Sequence, residues 1–293
     1  MNNMQATASQ IAVERRQSGE PHKGRVFAAV HAHSHEVPIY AAGLCAKLIS
    51  QGYTGYIVRT SNDQVGGQLT IGENVLNNQQ EHQKMADLLG FKDVFDLSYR
   101  HNRMNGISST DLRGRLILIF RMLKVDTVLT FNPWTPGEES PDRWVTGRAA
   151  DEACLMSGIA NEYPEYLEAG IPPHPVSERY YFYTRPGQPF NRVVDISAHV
   201  EKKIDAIVEC KSQGGGSSGS LLRARLTQQG RRLPLLGGDD RTADREYVRH
   251  FLLEDSKQYG RPYGLQYAER FYYVDTRERS NVDDYVAKNS VRL

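Results

Sequence analysis

Arg25-Val-Phe-Ala-Ala-Val-His-Ala-His-Ser-His-Glu36 is the stretch that decides how this chain folds, because an apolar run ends there in a cluster of polar side chains. The run is rich in Val, Ala and Phe and predicts a buried strand, and residues 41–51 have the composition of a helix that stops at Gly52. Three histidines and one carboxylate therefore stand at the carboxyl end of a strand. Ligands bind at that edge in open α/β sheets, so the cluster is a candidate metal or substrate site.

Beyond this stretch, apolar runs alternate with helical patterns in the order that builds a parallel sheet covered by helices. Strands are predicted at residues 25–32, 54–60, 92–98 and 127–131. Helices are predicted at residues 41–51, 79–89, 112–123 and 145–156. The loop over residues 132–144 is long for a compact domain, and such loops are often functional. We therefore expect an α/β fold with a mostly parallel sheet.

The second half of the chain is less regular. Its pattern predicts a strand at residues 179–183, helices at 198–211, 221–228 and 243–259, and a flexible glycine-rich segment at 214–219. The aromatic tract at residues 263–274 predicts a packed strand or cap, or a stacking surface for a ring-shaped substrate. We expect an N-terminal arm (1–23), an α/β domain (24–200) and a mostly helical extension packed on that domain (201–293).

Composition excludes several classes of protein. With 36 basic and 35 acidic residues the net charge is +1, and no basic stripe favours nucleic acid or an anionic membrane as a partner. No apolar run is long enough to span a bilayer or to form a signal peptide. Three widely spaced cysteines indicate reduced thiols, and hence a cytoplasmic protein. We expect a small-molecule substrate, with a homo-oligomer as an open alternative.

Short motifs in order resemble the start of a known family: Ala32-His-Ser-His-Glu36, Ala41-Ala-Gly43, Gly52-Tyr53 and Thr60-Ser-Asn-Asp63. They resemble the PIG-L/LmbE-like zinc-dependent deacetylases, which begin with Ala-His-Pro-Asp-Asp before a glycine-rich helix start. The family's second motif, His-Pro-Asp-His, has a counterpart in Ser140-Pro-Asp-Arg143. The resemblance implies a Rossmann-like topology and hydrolysis of an N-acyl amide.

The two motifs depart from the family at several positions. In the family, the first histidine and second aspartate of the first motif bind zinc, its first aspartate is the general base, and the second motif's last histidine is the third ligand. Carried over, His33 keeps its role, His35 replaces the base, Glu36 replaces the carboxylate ligand and Arg143 replaces the third ligand. Glutamate keeps an oxygen donor, and histidine suits proton transfer near neutrality. A guanidinium stays protonated and offers a metal no lone pair.

Three interpretations follow. In the first, zinc or another divalent metal is held by His33 and Glu36 with His31 or His35 as third ligand, since alternate residues of an extended segment face the same way. In the second, no metal binds, and the polar pocket performs acid/base chemistry or holds an anion through Arg143. In the third, the pocket is a relic, and the chain is a binding or assembly protein.

Other residues are candidates for substrate contacts. Asp63 follows the second predicted strand, His101 and Arg103 follow the third, and Asp142 belongs to the second motif. Each also has an ordinary alternative as a turn former or a solvated loop residue. His82 lies in a polar helix and is expected at the surface.

We therefore expect a variant, metal-dependent amide hydrolase that acts through a metal-activated water in a remodelled site, and whose substrate, as the resemblance implies, is an N-acetylated amino sugar or a glycoside of one. His35 and Arg143 are the expected catalytic residues, and His33, Glu36 and His31 the expected metal ligands. The alternative is a metal-free pseudoenzyme or binding protein that uses Arg143 to hold an anionic ligand.

Overall fold

The computed structural model describes residues 11–135, 137–277 and 281–291, and within them eight strands form one sheet. The strands are Ala12–Glu14 (β1), Val26–His31 (β2), Thr54–Ser61 (β3), Asp93–Tyr99 (β4), Thr127–Phe131 (β5), Glu178–Phe182 (β6), Arg192–Asp195 (β7) and Ala268–Asp275 (β8). Their spatial order is β1-β7-β8-β6-β5-β2-β3-β4. All neighbours pair in parallel except β8, which is antiparallel to both β6 and β7. The predicted mostly parallel α/β sheet is confirmed.

Helices cover both faces of the sheet. They are Glu36–Tyr40 (α1), Ala42–Ser50 (α2), Ile71–Leu89 (α3), Ser109–Leu123 (α4), Pro141–Met156 (α5), Pro164–Glu168 (α6), Val200–Glu209 (α7), Ser218–Gln228 (α8), Asp240–Tyr247 (α9), Glu254–Gly260 (α10) and Asn281–Asn289 (α11). A π-helical segment, Val248–Leu252, joins α9 to α10. No helix within the described ranges is long and apolar enough to cross a membrane.

The apolar run of β2 is continuous because the strand is buried on both faces. Phe27 and Ala29 belong to the core beneath α2, α3 and α7, whereas Ala28 and Val30 belong to the core beneath α4 and α5. This alternation is the two-residue period of a strand, and a strand covered on both sides needs apolar residues at every position. The central position of β2 brings the polar residues that follow it to the middle of the sheet edge.

Several element boundaries differ from the predictions. Helix α3 begins at Ile71, well before the predicted residue 79, because Thr70 and Glu73 form a capping box that stabilises the polar first turns. Helix α5 begins at Pro141, inside the predicted loop 132–144, since proline is favoured in the first turn of a helix. The predicted helix at residues 41–51 corresponds to α2, and a further short helix, α1, precedes it and ends at Tyr40.

Both predicted terminal segments contribute strands to the sheet. β1, inside the predicted arm, pairs with β7, while residues 1–10 lie outside the described part of the chain. β8, inside the predicted helical extension, lies between β6 and β7. The extension is therefore built into the sheet as well as packed on it. The short strand β7 has only four residues and gave no clear sequence pattern.

A buried ion pair joins the extension to the helix that follows the polar cluster. The Glu269 carboxylate on β8 accepts hydrogen bonds from the backbone N–H groups of Gly43 and Leu44 at 2.9 and 2.8 Å. Lys203 on α7 donates to the same carboxylate at 2.7 Å. Both charged side chains are almost fully buried. The pair therefore fixes the start of α2 against β8 and α7.

We expect Lys203→Met to lower the free energy of unfolding by about 3–5 kcal/mol, because it leaves the Glu269 carboxylate buried without a countercharge. Urea unfolding followed by circular dichroism measures the change. Lys202→Met removes an exposed lysine from the neighbouring position and serves as the matched control. A loss for Lys203→Met no larger than that of the control would contradict this account of the pair.

Candidate functional site

Four polar segments meet where the central strands end. The segment after β2 carries His33 and His35, the segment after β3 carries Asp63, the segment after β4 carries His101, and the start of α5 carries Arg143. The walls of the resulting cleft include His33, His35, His101, Glu138, Arg143 and Arg185. This is the sheet edge at which α/β proteins bind ligands.

Glu36 is the most highly coordinated side chain of the cleft. Its Oε2 accepts hydrogen bonds from the backbone N–H groups of Ala32 and His33 at 2.8 and 2.7 Å. Its Oε1 accepts from His33 Nδ1 and from Arg143 Nε, each at 2.7 Å. Burial raises the pKa of Glu36, but the charges of His33 and Arg143 outweigh it and hold the pKa well below its usual range. Glu36 is therefore a fully buried carboxylate with both oxygens satisfied.

His33 lies between two carboxylates. Its Nδ1 donates to Glu36, and its Nε2 donates to Asp142 Oδ2 at 3.0 Å. Burial lowers the pKa of His33, yet the attraction of Glu36 and the hydrogen bond to Asp142 raise it to about 10. Because both ring nitrogens carry protons, His33 is a cation at neutral pH. Asp142 is itself oriented by the backbone N–H groups of Asn102 and Met104.

Asp63 and His101 form the other side of the cluster. Asp63 Oδ2 accepts from Ser34 N at 2.9 Å and from Arg59 at 3.2 Å, while its Oδ1 lies 3.6 Å from His101 Nδ1. Neither Asp63 Oδ1 nor His101 Nδ1 has a hydrogen-bond partner among the described residues. The ring of His101 stacks on the ring of His33, with centroids 4.2 Å apart. The potential ligand atoms of His33, Asp63 and His101 all lie within 4.8 Å of one another.

The side chains do not fit a metal ion as they are arranged. At residue 143, where the resemblance places the third metal ligand, the Arg143 guanidinium already contacts Glu36. Both ring nitrogens of His33 are hydrogen-bonded to carboxylates, so neither offers a free lone pair to a metal. His33, Asp63 and His101 offer the donor types of a zinc site. However, a metal lies in the plane of each imidazole that binds it, and these two rings are stacked face to face. An ion shared by both histidines would require one ring to rotate.

His31, expected as a ligand, is turned away from the cleft. Its Nδ1–H donates to the carbonyl oxygen of His33 at 2.8 Å, so its Nε2 accepts from His82 Nε2–H at 3.2 Å. Alternation along the strand predicted that His31, His33 and His35 converge, but β2 ends at His31 and the chain turns directly into α1. His82, expected at the surface, is buried as the partner of His31.

The remaining predicted residues are placed as follows. The ring of His35 lines the cleft parallel to that of His33, its Nδ1 has no partner among the described residues, and burial lowers its pKa. Arg103 is exposed and is not part of the cleft walls. Asp63 and His101 belong to the cluster, and Asp142 reaches it through His33.

Three residues of the cleft were missed by the sequence analysis. Glu138 lies 3.8 Å from Arg143 Nη1 and 3.5 Å from Arg185 Nη2, so one carboxylate faces two guanidinium groups. Gln213 closes another side and donates to Asn78 at 2.8 Å. Glu138 lies in the long loop that the sequence singled out, whereas Arg185 and Gln213 are brought in by the second half of the chain and carry no local signal.

The glycine-rich segment packs on the cleft. A Cβ atom at Gly214 would lie 2.6 Å from the Cβ atom of His35, and Gly214 has a φ of 73°. Only glycine avoids both the steric overlap with His35 and the strain of a positive φ. The segment predicted to be flexible therefore forms turns, and α8 begins at Ser218 within it. Its close approach helps to hold His35 in place.

A chain with a mostly parallel sheet and a polar cluster of this kind at the sheet edge has the architecture of a small-molecule enzyme of the α/β class. Residues 28–154 match the family model described as PIG-L, GlcNAc-PI de-N-acetylase. The match covers less than half of the chain, so it shows a region that is similar to this family. The matched range ends within α5 and contains all the cluster residues except those contributed by the second half.

Two deacetylases are similar to this chain. The diacetylchitobiose deacetylase of Thermococcus kodakarensis is 26% identical over 187 residues, which cover 63% of this chain and 68% of the relative. The structure of N,N'-diacetylchitobiose deacetylase from Pyrococcus horikoshii superposes with a TM-score of 0.68 at 25% identity, covering 86% of this chain and 84% of that one.

A second similar structure belongs to a different kind of enzyme. GalB, the 4-carboxy-2-hydroxymuconate hydratase of Pseudomonas putida, superposes with a TM-score of 0.64 at 20% identity, covering 88% of this chain and 99% of that one. This likeness concerns the fold alone. The fold therefore does not by itself determine the reaction.

We expect His31 to contribute a fall of about 2 kcal/mol in the free energy of unfolding between pH 6.5 and pH 5, because only the unfolded state protonates His31 in that range. Burial, together with the charge of Arg59, lowers the pKa of His31 to about 4. The Glu36 and Asp63 carboxylates act in the opposite direction but do not outweigh burial. His31 therefore contributes stability above pH 6.5 that is lost as the pH falls towards 4.

Urea unfolding at several pH values measures this dependence. His31→Asn keeps a donor near the His33 carbonyl and should flatten the curve between pH 6.5 and 5. His250→Asn replaces an exposed histidine and should leave the curve unchanged. Parallel curves for the wild type and His31→Asn would contradict the prediction.

Proposed function

We propose that the chain hydrolyses the amide bond of an N-acyl substrate in this cleft, and that the substrate is an N-acetylated amino sugar or a glycoside of one. The region similar to the PIG-L family and the two deacetylase relatives support the class of reaction. The observation that carries the proposal for this chain is the position of His35. Its ring occupies the general-base position of the motif and lines the cleft, while its Nδ1 is buried and has no partner among the described residues.

The reaction can be written through the chain's own side chains. His35, neutral because burial disfavours its charged form, takes a proton from the water that attacks the acyl carbon. Arg143 keeps N–H groups that Glu36 does not use, and these can stabilise the oxyanion of the tetrahedral intermediate. His101, on the same cleft wall, is available to give a proton to the leaving nitrogen.

Glu36 and Asp142 act by positioning. Glu36 holds the guanidinium of Arg143 and the ring of His33, while Asp142 holds the other nitrogen of that ring. Neither carboxylate has a free lone pair directed at the substrate side of the cleft. Their substitution should therefore change activity by displacing Arg143 and His33.

We expect His35→Gln to lower kcat for release of acetate by roughly 10²-fold or more, the usual contribution of a general base, with the fold unchanged. N-acetylglucosamine and N,N'-diacetylchitobiose are suitable first substrates, and acetate release is the measurement. Arg103→Gln alters an exposed arginine from the next loop and is the matched control. Equal activity in the wild type and in His35→Gln would disprove the assigned role.

Binding of a small anion without turnover is the second candidate function. It is favoured by one observation, the arrangement of Arg143 and Arg185 around the Glu138 carboxylate. A carboxylate ligand that displaced Glu138 would meet both guanidinium groups. Calorimetric binding of small carboxylates that is lost in Arg185→Gln, together with no acetate release from any N-acetyl sugar, would favour this candidate over hydrolysis.

A further inference from the structure

We propose that the guanidinium of Arg143 takes the place of the metal ion in this cleft, so that the site is complete without a bound ion. The inference concerns the same cleft as the proposed hydrolysis but does not depend on it. It rests on the contacts of Arg143, on the saturation of its neighbours and on the balance of charge.

The first argument is position. The motifs place two ligand positions at His33 and Glu36 and the third at residue 143, where this chain has arginine. Arg143 Nε donates to the same Glu36 oxygen that accepts from His33 Nδ1. The guanidinium therefore occupies a carboxylate oxygen that an ion at this position would need. A guanidinium cannot itself be a ligand, so it excludes an ion from this position.

The second argument is saturation. Glu36 accepts four hydrogen bonds, two at each oxygen, and His33 donates from both ring nitrogens. A carboxylate has about four lone-pair sites, so none is left for a metal. An ion could enter only by breaking several short hydrogen bonds between buried groups, which would leave Arg143 without its carboxylate.

The third argument is charge. Each of three buried carboxylates already contacts a basic side chain: Glu36 contacts Arg143 at 2.7 Å, Asp142 contacts His33 at 3.0 Å, and Asp63 contacts Arg59 at 3.2 Å. Two of these partners are guanidinium groups, which stay protonated. A divalent ion would add its charge to a buried cluster whose carboxylates are already paired, which is costly.

The fourth argument is that the guanidinium is held in place on its other sides as well. Its central carbon lies 5.7 Å from the centre of the Phe131 ring and 5.9 Å from that of Tyr40. Aromatic faces attract cations at such distances. Arg143 is therefore fixed between two rings and a buried carboxylate, as a built-in cation would be.

The test compares metal content and metal affinity, neither of which needs turnover. Protein purified without chelator is analysed by plasma mass spectrometry, and Zn²⁺ binding to chelator-treated protein is titrated by calorimetry. The variants are Arg143→His, which restores the third ligand, and Arg143→His with Glu36→Asp, which restores the family's ligand set. Arg185→His is the matched control, because it introduces a histidine into the same cleft away from Glu36.

We expect wild type and Arg185→His to contain far less than one equivalent of metal. Either Arg143→His or the double variant should bind one equivalent of Zn²⁺ at least roughly tenfold more tightly than wild type. Near-stoichiometric metal in wild type would overturn the proposal, and its loss in Asp63→Asn would identify the His33–Asp63–His101 group as the true site. No gain of Zn²⁺ in either variant, with circular dichroism showing both folded, would also overturn it. Absence of acetate release would refute the proposed hydrolysis and leave these metal results valid.

Discussion

The hydrogen bonds to the buried carboxylate of Glu36 organise the functional edge of this protein. They join the end of β2 to the start of α1 through two backbone amides, and they fix His33 and Arg143 on the opposite oxygen. The turn that exposes His35 and the orientation of α5 both depend on these contacts. A single buried acidic side chain thus shapes the backbone and positions the cations around it, because a buried charge must be fully paired.

A comparable constraint acts on the far side of α1 and α2. Glu269 caps the start of α2 with two backbone hydrogen bonds and is paired with Lys203, so the late strand β8 and helix α7 are joined to the first helices of the chain. The cleft has walls from both halves: His33 and Arg143 lie in the region that matches the PIG-L family model, and Arg185 comes from the second half. The second half therefore shapes the cleft that gives the shared fold its individual chemistry.

The sequence predicted the order of the central elements because strong physical patterns mark them. A strand buried on both faces needs an apolar run, which is continuous over residues 26–30 of β2 and shorter in β3 and β5. The grouping of His33, Asp63, His101 and Arg143 followed from their positions after successive parallel strands. The orientation of single rings had no such signal. His31 was expected in the cleft and instead pairs with His82, because β2 ends at His31 and does not extend to His35 as alternation required.

Long-range contributions were the least predictable. Arg185 and Gln213 reach the cleft through tertiary packing, and the four residues of β7 are too few to show a pattern. The glycines at residues 214–219 correctly indicated an unusual backbone conformation. The segment was predicted to be flexible, whereas its glycines allow close packing against His35. Local composition can show that a segment is special without showing what it contacts.

The place of β8 in the sheet bears on synthesis of the protein. β6 and β7 are joined only through β8, which follows both of them in the chain and is therefore synthesised after them. Until β8 is made, the unpaired backbone groups of β6 form an open edge of the kind that recruits other chains. β8 then pairs with β6 and β7 together, and its insertion removes that edge.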